Sequence, residues 1–169
     1  LTKRTTKFMV PGYFTLALGL DYTPNENFSF FISPLASKMT FVQDRTLADA
    51  GSFGVDAAYL DDAGVYIAGK KFRGEFGAYL RVKYDKELAK NIFMKSQVEL
   101  FSNYVDNPQN IDVNADIIFD FKVNNWFSAS LNWTLIYDHD INIRDAKGFG
   151  PRTQFKSVLG VGLTHTMKN

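Results

Sequence analysis

The sequence predicts an all-β fold, an antiparallel up-and-down β-barrel whose strands cross a membrane. Three observations predict it. Residues 72–85 alternate strictly between uncharged and charged positions, aromatic residues make up 15% of the chain, and the segments between predicted strands alternate between short and long. Because successive side chains of a strand point to opposite faces, this alternation gives one face suited to lipid and one suited to a polar interior.

Residues 72–85 form the most regular predicted strand. Its uncharged side begins at Phe72 and ends at Tyr84, while the other side carries five ionisable groups and Tyr79. At ~3.3 Å per residue and a tilt of ~40°, such a strand stands about 30 Å tall, which is enough to cross the hydrocarbon layer.

The same alternation predicts six further strands, at residues 13–22, 28–42, 92–104, 111–123, 126–137 and 153–167. Pro34 lies inside the second of these and lacks a backbone N–H, so a bulge or bend is expected there. Residues 45–50 allow a helical turn.

The connections differ in length according to the end of the strands they join. Residues 23–27, 86–91 and the two-residue hairpin 124–125 are short, whereas residues 43–71, 105–110 and 138–152 are mostly longer. Alternate connections share one rim, as in outer-membrane barrels with periplasmic turns and external loops. We therefore expect the C-terminus on the periplasmic side of the outer membrane of a Gram-negative bacterium.

Seven strands is an odd number, and single-chain bacterial barrels close with an even number. We therefore expect residues 1–169 to be a single barrel domain that forms the C-terminal portion of a larger barrel, with its N-terminal strands missing here. An open sheet in hydrocarbon would leave backbone groups unpaired, at several kcal/mol each by a rough estimate.

Composition excludes several other classes of protein. The net charge of +1 and the lack of a basic run argue against a nucleic-acid partner. The absence of cysteine removes disulfides and thiolate chemistry. No run of about 18 apolar residues is present, so a helical membrane span is not expected.

Five blocks of the sequence resemble a known family. They lie at residues 41–55 (FVQDRTLADAGSFGV), 73–80, 90–117, 135–141 and 150–163, and the most specific stretch is LFSNYVDNPQNIDVN. These blocks are similar to an uncharacterised outer-membrane β-barrel family of Bacteroidota, known as a domain of unknown function. The resemblance implies that this chain is the C-terminal part of such a barrel, and it implies no catalytic or binding residue. The insert before Lys71 and the end at Asn169 depart from the family pattern.

The candidate functional residues follow from the two faces. The expected lumen-lining residues are Arg73, Glu75, Arg81, Lys83, Lys95, Glu99, Asp112, Asp116 and Asp120. The expected lipid-facing residues are Phe76, Leu80, Phe119 and Leu131. The expected interface aromatics are Tyr22, Tyr84, Tyr104, Trp126 and Tyr137. Because the signs of the lumen charges alternate, mutual neutralisation is favoured over an ion-selective ring.

Metal binding and catalysis find little support in the sequence. Residues 138–145 resemble the opening of a calcium loop, but Ile143 stands where glycine is required and Phe149 where glutamate is required. His139 and His165 have no metal-ligand spacing. No serine can be placed beside a histidine. We therefore predict no enzyme activity, no cofactor and no metal.

Two functions from different classes remain open. The first is an outer-membrane β-barrel that acts as a narrow or plugged pore, or as a structural subunit of an outer-membrane complex. Its partners would be outer-membrane lipid and, in the subunit version, other outer-membrane proteins. The alternative is a soluble lipocalin-like barrel that binds a small apolar ligand and turns the uncharged residues inward. Dependence on detergent would separate the two.

Overall fold

The computed structural model of the chain describes residues 10–145 and 148–164. Its main feature is one antiparallel sheet of seven strands, and this confirms the predicted all-β antiparallel class. In sheet order the strands are β1 (Gly12–Asn25), β2 (Phe28–Phe41), β5 (Phe72–Ala89), β6 (Ile92–Asn103), β7 (Ile111–Lys122), β8 (Phe127–Tyr137) and β11 (Gln154–Leu163).

Two small hairpins occupy the longest connections. β3 (Tyr59–Leu60) pairs with β4 (Tyr66–Ile67), and β9 (Asn142–Asp145) pairs with β10 (Gly148–Pro151). Helical structure is limited, within the described residues, to α1 (Arg45–Asp49) and a 3₁₀ turn (Ser52–Gly54). α1 confirms the helical turn expected there. No helix in the described ranges is long and apolar enough to cross a membrane.

The turns at the short rim differ from those predicted. β1 and β5 run further than expected, so two of the turns shrink to residues 26–27 and 90–91. Asn91 adopts a φ of 66°, a left-handed conformation that asparagine tolerates better than most residues. The predicted two-residue hairpin at 124–125 is wrong, because residues 123–126 all lie outside the strands. There the Asn124 side-chain oxygen accepts from two backbone N–H groups, those of Trp126 and Phe127, which favours the wider turn. The last predicted strand extends to Met167, but residues 165–169 lie outside the described part of the chain.

The irregularity expected at Pro34 is present. The pairing of β2 with β5 shifts between Ser33 and Ala36, where β2 carries one residue more than its partner. The Ser33 hydroxyl donates to the carbonyl oxygen of Leu18 at 2.7 Å and lies 2.8 Å from that of Leu35. Glycine at position 19 lets β1 approach, because a Cβ there would lie 2.1 Å from the Ile32 carbonyl oxygen.

The sheet curls toward its charged face. The Lys38 ammonium on β2 bonds Asp112 on β7, three strands along, and Asp138, which directly follows β8. In a flat sheet β2 and β8 would be ~19 Å apart, beyond the combined reach of a lysine and an aspartate. The charged face is therefore concave and the uncharged face is convex.

The burial of side chains is inverted relative to a soluble domain. On the concave face Glu75 is 4% exposed, whereas on the convex face its neighbour Phe76 is 45% exposed. Most of the large exposed hydrophobic side chains lie on the convex face, including Leu20, Trp133 and Leu163. The covered centre of the sheet is thus polar.

The sheet has two free edges within the described residues. β1 pairs with β2 alone and β11 pairs with β8 alone, so no closed barrel is formed by these seven strands. In an antiparallel meander of seven strands the first and last run in the same direction. Both edges expose backbone N–H and C=O groups, and the adjoining convex side chains are apolar.

The connection at residues 42–71, which we call the rim loop, is itself folded. Val42, Ala48 and Val55 form a small apolar core, and Leu47 and Phe53 pack against it. The Asp44 side chain caps α1 by accepting from the Leu47 N–H. This loop, residues 104–110 and residues 138–153 all lie at the same rim of the sheet, opposite the short turns.

Candidate functional site

Strand register places the nine expected lumen residues on one face. Arg81 is directly opposite Glu99, which is opposite Asn114 on the next strand. The other members occupy odd-numbered positions of β5 and β6 and even-numbered positions of β7, which the strand register places on this same face. They do not form one cluster, however, because they are spread along the full height of the sheet.

Lys38 lies at the centre of an ion-pair cluster near the long-loop rim. Its Nζ lies 2.8 Å from Asp112 Oδ2 and 3.3 Å from Asp138 Oδ2. The same ammonium lies 5.6 Å from the centroid of the Phe101 ring, within the range of a cation–π contact. All three charged side chains are largely buried. Removing Lys38 would therefore leave two buried carboxylates without their cation.

Arg73 forms a second pair of contacts beside the first. Its Nη2 lies 2.8 Å from Glu75 Oε1 and also bonds Asp140 Oδ2. Asp140 is linked back to the first group because its N–H donates to Asp138 Oδ1 at 3.0 Å. The His139 N–H donates to Asp112 Oδ1 at 3.3 Å. Residues 138–140 thus fold over the concave face and connect β2, β5 and β7. We call these six side chains the rim cluster: Lys38, Arg73, Glu75, Asp112, Asp138 and Asp140.

Glu75 is the most enclosed member of the rim cluster. Its side chain is 2% exposed, and it lies opposite Lys38 across the β2–β5 pair. Oε1 accepts from Arg73, but Oε2 has no hydrogen-bond partner among the described residues. A buried charged acceptor that is left unsatisfied is unfavourable.

The remaining expected lumen residues are paired more loosely. Lys95 lies 3.5 Å from Asp120, with side chains 60% and 42% exposed. Asp116 accepts from the Thr134 hydroxyl at 2.7 Å, and Glu99 accepts from Gln97 at 2.8 Å. The guanidinium of Arg81 lies 5.3 Å from the centroid of the Phe31 ring. Lys83 lies opposite Ser29 and Gln97.

The expected lipid-facing residues lie on the convex face. Phe119 makes an edge contact with Trp133 at 5.5 Å between centroids and lies opposite Leu131. Phe76 makes a similar contact with Tyr104 at 6.0 Å. Leu80 lies between Ile32 and Leu100 on the neighbouring strands.

The expected interface aromatics lie at or near strand ends. Tyr104 follows the last residue of β6, Trp126 precedes the first of β8, and Tyr137 ends β8. Tyr22 and Tyr84 lie near the short turns, inside β1 and β5. The Tyr137 hydroxyl also lies 3.1 Å from His139 Nδ1, so this tyrosine contacts the connection at residues 138–153 as well.

Two cavities open on the concave side near this rim. The smaller, of about 340 Å³, is lined by residues from β1 to β8, including Tyr13, Lys38 and Asn114. The larger, of about 850 Å³, is lined by Arg73, Glu75 and Asp140, with further residues from the loops.

The suggested calcium loop has a different role. Asp138 and Asp140 face Lys38 and Arg73. No group of three or more His, Asp or Glu side chains in the described ranges could hold a metal ion. The side chains of Asp145 and Phe149, together with all of His165, lie outside the described part of the structure.

Sequence reasoning missed three members of the site. Lys38 was not singled out because the bulge at Pro34 interrupts the alternation of β2. Asp138 and Asp140 drew notice only for their spacing along the loop. Phe101, whose ring contacts the Lys38 ammonium, was missed as well; it is 6% exposed. An aromatic residue on the largely polar face of β6 is the one sequence signal that could have indicated this contact.

The electrostatics of the rim loop are best seen at Asp49. Partial burial raises the pKa of its carboxyl, but hydrogen bonds from the Gly69 N–H and the Tyr66 hydroxyl, with the charge of Arg45, outweigh burial and lower that pKa. The Gly69 N–H lies 2.9 Å from Asp49 Oδ1 and the Arg45 Nε lies 3.0 Å from the same oxygen. The carboxylate form of Asp49 therefore ties α1 to β4 and the chain after it.

Comparison with known proteins places the chain in a family without a known function. The family model described as Protein of unknown function, DUF481, matches residues 38–147, about two thirds of the chain. The chain therefore belongs to the DUF481 family. This family is uncharacterised, as the sequence resemblance led us to expect. No curated protein matches the chain, and no solved structure matches it.

Proposed function

We propose that this chain forms part of a β-barrel in the outer membrane of a Gram-negative bacterium, and the resemblance to a family of Bacteroidota favours that phylum. The convex face contacts lipid and the concave face lines the lumen. The long loops are external, and the short turns and the C-terminus are periplasmic.

One observation carries the proposal: the inverted burial across the sheet. Soluble proteins enclose apolar side chains and expose charged ones. Here Glu75 is enclosed and Phe76, next in the sequence, is exposed. Arginine or lysine turned to lipid costs ~2–4 kcal/mol near the bilayer midplane, so Arg81 and Lys83 belong on the lumen side. Aromatic side chains near the strand ends suit the two membrane interfaces.

Closure of the barrel requires strands beyond the seven described. β1 and β11 run in the same direction, so antiparallel pairing at both edges requires an odd number of additional strands. That number makes the total even, as in bacterial outer-membrane barrels. The bilayer core offers no water to satisfy the free edges, which favours closure before or during insertion.

The rim cluster supports a lumen that is narrow or plugged. Lys38 and Arg73 link strands that are several positions apart, and residues 138–140 fold across the opening between them. Such contacts obstruct free diffusion through this end. The barrel then acts as a narrow or plugged pore, or as a structural subunit that meets other outer-membrane proteins through its long loops.

The soluble lipocalin-like alternative receives less support. That version requires the uncharged face to be concave, with Phe76 and Leu80 in its interior. The ion pairs of Lys38 instead join residues across the charged face, and the curl follows them.

Conductance through planar bilayers tests the proposal. The full barrel should need detergent to stay in solution, and it should be silent or nearly silent after reconstitution. The double variant Lys38→Ala/Arg73→Ala should raise conductance because it removes both links across the rim. Lys95→Ala is the matched control, since Lys95 lies on the same face but pairs loosely, and it should leave conductance unchanged.

Two results would contradict the proposal. A protein that stays monomeric and folded without detergent would rule out the membrane barrel. A large steady conductance in the unaltered protein would rule out the plug.

A further inference from the structure

One carboxylate oxygen of Glu75 is buried without a hydrogen bond to any described residue. Its side chain is 2% exposed, and Oε2 has no hydrogen-bond partner in the described part of the chain. Burying a charged group is unfavourable unless it is paired and hydrogen-bonded. A donor that meets Oε2 would therefore bind favourably.

The charge of the surroundings indicates that this donor is a cation. The rim cluster holds four carboxylates and only two cationic side chains, an excess of two negative charges. Lys38 Nζ already lies close to Asp112 and Asp138, and Arg73 already bonds Glu75 Oε1 and Asp140. Neither is hydrogen-bonded to Glu75 Oε2.

The cavity beside Glu75 has room for a small organic molecule. Its volume of about 850 Å³ lies within the usual range of ligand sites. Asp106 and Asp140 add negative charge to its lining, and Val105 contributes apolar surface. Lys70 also lines it, but this ammonium lies 2.6 Å from Asp56.

The geometry favours a nitrogen cation over a metal ion. A calcium or magnesium ion requires several converging oxygen ligands, and the described residues hold no group of three or more acidic or histidine side chains arranged for a metal. An ammonium group needs only one or a few acceptors at short distance, and its hydrogen bond to a carboxylate is charge-assisted.

We propose that this cavity binds a small organic amine with two ammonium groups. One ammonium donates to Glu75 Oε2. The second offsets the remaining negative charge of the cavity near Asp106 and Asp140. This inference goes beyond the proposed function, because binding requires the rim cluster and not the bilayer.

Calorimetric titration of the purified full-length protein in detergent tests it, with putrescine as the probe at neutral pH and low salt. Putrescine should bind at one saturable site, and its diol analogue, with hydroxyls in place of both amines, should not bind. Glu75→Gln should weaken putrescine binding by about tenfold or more. Asp120→Asn is the matched control because Asp120 lies on the same face near the other rim, and it should bind as the unaltered protein does.

Several results would overturn the inference. These are the absence of saturable putrescine binding, equal binding of the diol, unchanged binding in Glu75→Gln, or a calcium ion that displaces putrescine at equal concentration. If Glu75→Gln does not fold, the comparison of diamine with diol in the unaltered protein decides the question. A soluble protein that still bound putrescine would contradict the membrane proposal and leave this one standing.

Discussion

At the scale of single residues, buried charges and close backbone contacts shape this molecule more than apolar packing does. Lys38, Arg73 and Glu75 are enclosed in the concave face. Lys38 and Arg73 each bond a partner far away in the sequence, Asp112 and Asp140 respectively, and Arg73 also holds Glu75. The only cluster of buried apolar residues within the described ranges lies in the loop at residues 42–71. Substitutions of polar residues should therefore have the larger effects.

Lys38→Met should lower the free energy of unfolding by about 3 kcal/mol, because it leaves Asp112 and Asp138 buried without their cation. Urea titration of the protein in detergent micelles or lipid measures the change. Lys95→Met is the control, with an expected change within ~0.5 kcal/mol because its ion pair is exposed. Equal losses in the two variants would contradict the role assigned to Lys38.

Gly77→Ala should also destabilise the sheet, by ~1–3 kcal/mol. A Cβ at this position would lie 1.8 Å from the Ser102 carbonyl oxygen, which belongs to the backbone of β6 and cannot move without disturbing the ladder. Gly160→Ala provides the comparison, because its Cβ would meet the Ser130 hydroxyl, which can rotate away. The same urea titration should give Gly77→Ala a clearly lower free energy of unfolding than Gly160→Ala.

At the scale of elements, the rim loop is stabilised by contacts that differ from those of the strands. α1, the 3₁₀ turn and the β3–β4 hairpin are short, and they are held by the small apolar core and by Asp49. The sequence shows no period there, which is why only the helical turn could be predicted. The strands, by contrast, were predictable because every second residue repeats the same environment.

The contacts of Asp49 predict a dependence of the rim loop on pH. The pKa of this carboxyl in the folded protein lies below its usual value, so its contribution to the stability of the loop is complete above the unfolded pKa and is lost as pH falls through the folded one. Amide resonances near Gly69 should therefore shift with pH, with a midpoint below the usual aspartate value of about 3.9. Tyr66→Phe removes one donor and should raise that midpoint, whereas an unchanged midpoint would exclude the Tyr66 contact.

At the scale of the whole molecule, the sequence predicts which side chains share a face of the sheet. It does not predict the ion pairs between strands that are far apart in the sheet. The odd-and-even pattern of β5 and β7 predicts which side chains share a face. It does not reveal the contact of Lys38 with Asp138, because the two are separated by 100 positions in sequence and meet only when the sheet curls. The bulge in β2 is a partial exception, because Pro34 identified it in advance.

The orientation of the proposed barrel can be tested with single cysteines, since residues 1–169 contain none. Asp62→Cys and Gln109→Cys, in the long loops, should react with a membrane-impermeant maleimide on intact cells. Lys90→Cys and Asn125→Cys, in the short turns, should react only after the outer membrane is made permeable. The reverse pattern would invert the proposed topology. Labelling of all four sites on intact cells would exclude a spanning barrel.

The two free edges also bear on the order of events during assembly. β1 and β11 cannot enter hydrocarbon singly, since each would carry a row of unsatisfied backbone dipoles with it. In the proposed membrane barrel, the last seam must then form before or together with membrane entry, with no stable half-inserted species that keeps open edges. A refolding experiment in vesicles should accordingly give a single kinetic phase in which tryptophan burial and protease resistance appear together.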